Sequence, residues 1–244
     1  VKSTGQITRA MQLVASSKMK RAQDAARAGR AYAELLGEIL DTAQSKVGEF
    51  THPLLTKRAV KVRGILLVTP DKGMAGALNG NLIRLAAEQK DAVFVCIGRK
   101  GAQALARSGR KVLADFPVSD RAAFAEVRPA AEYLLKAFAD GAVDTVEVLF
   151  AHFKNTMVQS PRVQQLLPAD SLVAQAREFR AKLGLPEPKI EDDERDMLFE
   201  PSAAAILSQL PALFFKQAVH QAVLESKASE FSARMVAMKA ATDN

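Results

Sequence analysis

Apolar positions recur at helical spacing at both ends of this chain and crowd into strand-like runs in its middle. Ile7, Met11 and Val14 fall at steps of four and three, small residues follow (Ala22, Ala25, Gly29, Ala33), and Leu36, Leu40, Ala43 and Val47 restore bulk. The spacing predicts one long helix over 5–47. Gly29 and Gly37 are where it could bend, each costing roughly 1 kcal/mol relative to alanine. Near the other end Phe231, Met235, Met238 and Thr242 repeat at four, three and four, and Leu210, Phe214, Ala218 and Val219 carry the stripe upstream. A second long helix is expected over 203–244, with Pro201 suited to a first turn and Pro211 kinking the helix or delaying its start. A helix the length of the first would run about 65 Å at about 1.5 Å per residue, and propensity alone does not hold such a rod in water. Each segment is the natural partner of the other, and small residues on the seam would let them approach closely. Both reach the chain ends in helical register, so the sequence reads as part of a longer chain.

Between them the pattern alternates. Strands are expected over 63–69, 92–98 and 111–116, with helices over 77–90, 99–108 and 121–140. Two longer strands follow over 143–153 and 157–166, joined by a turn at Lys154 and Asn155. Strands alternating with helices imply βαβ units and a mostly parallel, three-layer sheet. The fold class is therefore α/β: a three-layer, Rossmann-like domain inserted between two long terminal helices that form an antiparallel coiled coil. The expected units are 1–55 (first helix), 56–168 (α/β domain), 169–200 (acidic linker with a short helix over 170–183) and 201–244 (second helix).

Composition narrows the class. At 48% hydrophobic and 25% charged residues the chain is ordinary globular material. No apolar run reaches the roughly 18 residues needed to cross a bilayer, and the N-terminus has no secretory pattern. The lone Cys96 excludes an intrachain disulfide and reads as a buried strand residue. The net charge of +7 is concentrated: residues 1–30 carry seven bases, among them Arg9, Lys18, Lys20, Arg21 and Arg27, against the single acid Asp24. Residues 187–200 run the opposite way. A basic helix calls for an acidic partner, whether nucleic acid, an anionic membrane surface or acidic protein loops.

Candidate chemistry is sparse. The stretch 70–81 (PDKGMAGALNGN) follows a strand and opens a helix, the setting of a phosphate-binding loop. It lacks Gly-Lys-Ser/Thr, and Gly73, Gly76 and Gly80 miss the G-x-G-x-x-G spacing, so a tight structural turn is the better reading. His52, His152 and His220 lie far apart with no second ligand at metal spacing. Nucleic-acid binding by a basic coiled coil is the alternative function. Against it, the chain has no Trp and two Tyr, and no aromatic is interleaved with the bases for stacking.

Three blocks carry a resemblance: 6–23 (QITRAMQLVASSKMKRAQ), 69–82 (TPDKGMAGALNGNL) and 228–244 (ASEFSARMVAMKAATDN), with 161–168 (PRVQQLLP) also fitting. In this order they resemble the gamma subunit of bacterial F-type ATP synthases, and the last nearly completes the family pattern S-E-x-x-A-R-M-x-A-M-x-x-A-T-x-N. The resemblance implies a central rotor shaft with no catalytic residue and no cofactor, turning inside the hexamer of alpha and beta subunits. It implies a foot domain against the epsilon subunit and the c-ring, at the cytoplasmic face of the bacterial plasma membrane. Carried over by position, Met11 and Arg234 match places where the shaft meets the levers of the beta subunits. Lys18, Lys20 and Arg21 fall in the block facing acidic loops of beta, and Asp71 and Lys72 in the turn near the shaft. Arg234 is expected to be exposed. The chain departs from the pattern in having Ala75 where a cysteine is common and a longer stretch at 169–196.

Overall fold

The computed structural model describes residues 2–29, 32, 35, 36, 39, 43, 50–169, 174, 177, 180, 181, 184, 185, 200 and 202–243. The positions expected to be helical at Ala33, Leu40 and Val47, the bend at Gly37, Pro201, most of 170–183 and most of the acidic stretch lie outside them.

The first helix, α1 (Lys2–Ala28), ends in a turn at Gly29, and Leu35, Leu36, Ile39 and Ala43 are again helical. The second long helix, here α5, spans Ala203–Asp243. Ser202 caps it, its hydroxyl accepting from the Ala205 N–H at 3.2 Å. Pro211 does not delay that start: the helix begins eight residues upstream and runs through the proline, which is buried. The two helices pair antiparallel. Thr8 Oγ1 lies 2.7 Å from Thr242 Oγ1, Ala22 packs with Ala228 and Phe231, and Leu36 with Leu207, Leu210 and Phe214.

The seam is not the one the periodicity suggested. Ile7 and Val14 are 58% and 54% exposed, whereas Ala15 and Ala22 are 2% and 6%. Ala25 is exposed as well. Small residues at steps of seven, namely Thr8, Ala15, Ala22 and Gly29, make the inward row, while the bulky residues beside them turn out. Small α1 side chains leave room for α5 groups such as Phe231, which packs with Ala22, and that fit overrides the pull of the larger α1 apolar groups toward burial.

Between the long helices the chain forms β1 (Arg63–Val68), α2 (Leu78–Ala87), β2 (Ala92–Ile97), α3 (Arg99–Arg107), β3 (Val112–Phe116), α4 (Phe124–Ala139), β4 (Thr145–Phe153) and β5 (Gln159–Leu167). The sheet order is β3-β2-β1-β4-β5. The first four strands are parallel and β5 returns antiparallel to β4. Alternate residues of each strand serve opposite layers. Ile65, Leu67 and Leu149 face α2 and α3; Leu66, Val68, Val148 and Phe150 face α4 together with Phe215, Val219 and Val223 of α5. Helix α5 thus belongs to the coiled coil and to the sheet domain at once. At the N-terminal edge of the sheet, buried Glu147 takes both arms of Arg63, at 2.8 Å from Nε and 2.5 Å from Nη2.

The displaced seam can be tested. Ala15→Leu should lower unfolding stability by about 1–3 kcal/mol through overpacking. Leu13→Ala, at a position 66% exposed, should change it by less than about 0.5 kcal/mol. Urea unfolding of the two variants reads this directly; the reverse ranking would restore the seam inferred from spacing alone.

Candidate functional site

The turn after β1 is fastened to its neighbours by short contacts. Thr69 Oγ1 accepts from the Gly101 N–H at 2.8 Å and donates to Gly98 O at 3.2 Å. Gly98 sits at φ +98°, and a Cβ there would lie 1.7 Å from Thr69 O, so only glycine fits. Asp71 Oδ1 accepts from the Arg99 N–H at 2.9 Å, capping α3 from across the end of the sheet. This places a fixed carboxylate where a phosphate-binding loop would want positive potential. Cys96 is wholly buried in β2, and burial pushes its thiol up to about 12, which removes it as a nucleophile.

The histidines each have a structural partner. His52 Nδ1 accepts from the Leu54 N–H at 3.1 Å. His152 Nδ1 meets Glu225 Oε1, tying β4 to α5. His220 Nε2 donates to Ala122 O at 2.8 Å, and burial holds its pKa below the ordinary value against that bond. Among the described residues no group of three or more His, Cys, Asp or Glu side chains could hold a metal ion.

What the fold does assemble is a junction of charges where α1, α5 and two loops of the sheet domain meet. Arg234 Nη2 is 2.9 Å from Glu230 Oε1 and donates to Gly73 O at 3.4 Å. Lys227 Nζ lies 3.5 Å from Glu230 Oε2. Glu230, Lys227 and Arg234 have side chains only 6%, 4% and 12% exposed. Lys18 pairs with Asp120 in the loop before α4 and stands 5.6 Å from the Phe231 ring centroid, with Arg234 at 5.8 Å from the same ring. Burial alone would raise the Asp120 carboxyl. The hydrogen bond from Lys18 and the fields of Lys18, Lys227 and Arg234 outweigh it and hold that pKa below the ordinary value. Beside the junction runs a half-open groove of about 600 Å³ lined by Lys18, Arg21, Ala22, Ala25, Asp120 and Arg121.

Of the residues singled out from sequence, Lys18 and Arg234 come together at this junction, and the turn of Asp71 and Lys72 reaches it through Gly73. Met11 is half-buried at the side of the seam, and Lys20, Arg21 and Lys72 are exposed. The expectation that Arg234 is exposed is overturned: the buried carboxylate of Glu230, one helical turn before it, draws the guanidinium inward. Sequence reasoning missed Asp120, Glu230 and Lys227. The step of four from Glu230 to Arg234 was the available signal for one pair; an acid in a loop, as Asp120 is, leaves no periodic trace.

Arg234→Ala should therefore cost folding stability, on the order of 2 kcal/mol, because Glu230 keeps only the longer contact to Lys227. An unfolding midpoint equal to that of the parent chain would show that the pair contributes nothing.

Comparison with known proteins places this architecture. A family model described as ATP synthase matches residues 1–244. The ATP synthase gamma chain of Opitutus terrae is 52% identical over 245 residues, covering 100% of this chain and 83% of that protein. The gamma chain of Akkermansia muciniphila is 40% identical with the same coverage of both chains. A solved chain of the central stalk and c-ring of the Tetrahymena thermophila mitochondrial ATP synthase superposes with a TM-score of 0.65 at 25% identity, covering 96% of this chain and 99% of that one. A rotor chain of the Euglena gracilis mitochondrial ATP synthase, at 17% identity, shares the fold with a TM-score of 0.53. With its two paired terminal helices, its inserted sheet domain and relatives of this closeness across its whole length, this chain belongs to the ATP synthase gamma chain family.

Proposed function

We propose that this chain is the central rotor shaft of a bacterial F-type ATP synthase, coupling ion flow through a c-ring to conformational change in a hexamer of alpha and beta subunits. The observation that carries the reading is the outward row of α1. Ile7, Leu13 and Val14 are 58%, 66% and 54% exposed, on the sides of a helix whose inward row is already filled. Large apolar groups this exposed, Ile7 and Val14 on one flank and Leu13 about 100° round the helix, mark a surface that a partner surrounds. The α1 seam is satisfied within the chain, so an outer sleeve can slide past without dismantling it.

The partner contacts divide accordingly. Lys20, Arg21 and Lys72, being exposed, are the cations that meet acidic loops of beta. Met11 flanks the apolar row and belongs to the same surface. Lys18, Asp71 and Arg234 reach partners only from within their internal pairs. The sheet domain over 56–168 is the foot, set against epsilon and the c-ring, while 1–55 and 201–244 make the shaft and 169–200 links them. The chain itself is non-catalytic: ATP forms on the beta subunits, and no cofactor is assigned here. No helix among the described residues is long and apolar enough to cross a membrane. The site of action is the cytoplasmic face of the plasma membrane, reached through the complex. A nucleic-acid-binding role has no observation in its favour, since Lys18, the base of α1 that stands over an aromatic ring, is paired with Asp120.

The test is a variant with Ile7, Leu13 and Val14 all changed to Ser in the full-length chain of the assembled complex. Its unfolding should stay within about 1 kcal/mol of the parent, as exposed sites allow. Ions pumped per ATP hydrolysed should fall several-fold. Undiminished pumping would remove the sleeve reading.

A further inference from the structure

One loop of the sheet domain, 118–123, is anchored on both shaft helices. Asp120 pairs with Lys18 of α1, and the carbonyl of Ala122 accepts from His220 of α5 at 2.8 Å. The ring of Phe124, which opens α4, stands edge-on to His220 with centroids 5.4 Å apart. Val118 and Ala122 are 6% and 0% exposed and seat the loop on the domain, while Ser119, Asp120, Arg121 and Ala123 stay at its surface. Its backbone is fixed as well. Ala122 holds φ +47°, a left-handed conformation that a non-glycine residue adopts only where its surroundings impose it. The Ala122 N–H closes on Ser119 O at 3.1 Å, and the Ser119 hydroxyl donates to Glu126 at 2.8 Å, which also accepts from the Ala123 N–H at 3.2 Å.

The two helices are attached to the sheet domain very unequally. Helix α5 buries Phe215, Val219, Ala222 and Val223 against the sheet and α4. For α1, by contrast, Lys18 to Asp120 is the one ion pair to that domain among the described residues. A twist delivered at the sheet domain therefore enters α5 directly and reaches α1 mainly through the seam of small side chains. That seam is apolar packing, Ala22 against Ala228 and Phe231, and a charged pair adds a directional tie that such contacts lack.

We propose that the 118–123 loop is a buckle that locks both helices to the sheet domain, with Lys18 and Asp120 as a positioning pair that keeps α1 from slipping when the shaft is twisted. Lys18 thereby acts first within the rotor, and meets surrounding subunits only from within that pair. The depressed Asp120 carboxyl, which keeps the pair charged, is consistent with this, as is the +47° turn that aims the Ala122 carbonyl at His220. The proposal rests on the rotor reading above.

The test is a double-mutant cycle in the full-length chain of the assembled complex, with Lys18→Met, Asp120→Asn and the two combined. It reads ions pumped per ATP hydrolysed together with amide exchange at 119–123. Partners in one contact give non-additive losses, whereas independent sites give additive free energies. Each single change should lower the pumping ratio and speed loop exchange by about two- to fivefold, with the double variant no worse than the poorer single. Losses that multiply in the double variant would mean that Lys18 and Asp120 serve different partners, which overturns the buckle. Single variants that pump as the parent does would overturn it too. Failure of the rotor reading looks different: the unmodified complex would lack this chain or would not pump with ATP.

Discussion

Everything else in this molecule depends on the close antiparallel contact between α1 and α5. Thr8, Ala15, Ala22 and Gly29 give α1 a face of small residues that receives α5 side chains such as Ala228 and Phe231, so the two helices pack as one rod. That choice has a consequence for the surface. A helix that spends its inward row on alanine must carry its larger apolar groups elsewhere, and Ile7, Leu13 and Val14 stand out in water. The inner contact holds the rod, and the outer row addresses what surrounds it.

The second constraint is that α5 is shared. Its first half packs with Leu36 and the sheet domain, its middle lies along β4, and its end pairs with the start of α1. Polar groups appear where these roles meet. Ser229 donates to Ala151 O at 2.8 Å and Ser232 to Thr156 O at 2.7 Å, fixing the helix along β4 and its hairpin. Lys227, Glu230 and Arg234 bury three charges in the same stretch, the two cations sharing the one carboxylate of Glu230. Apolar packing would stabilise the junction as well; directional pairs add a defined register, which a part that transmits rotation needs.

How much of this was legible follows from what kind of signal each part leaves. The strands and helices of the sheet domain were readable to within a few residues, because apolar runs bounded by glycine and charge are strong local signals. The existence of both long helices was equally plain. Which face of α1 lies inside was not: spacing favours Ile7 and Val14, and only the need to receive α5 groups such as Phe231 selects the row of Ala15 and Ala22. Arg234 misled for a related reason, since an arginine on a helix reads as solvent-facing unless its buried partner Glu230 is known. Asp120 and the strained Ala122 lie in a loop, where no periodicity exists to mark them. The resemblance supplied the function, which no spacing could have.

The central claim is that this chain turns as a unit inside a fixed sleeve. The most direct measurement places Arg107→Cys, at the exposed end of α3, in the full-length chain and couples that thiol to a gold particle. The buried Cys96, with its thiol pushed up to about 12, stays unlabelled. With the complex held to glass through its alpha and beta subunits, ATP should drive the particle round continuously in one direction. A particle that stays fixed while the same complexes hydrolyse ATP would contradict it.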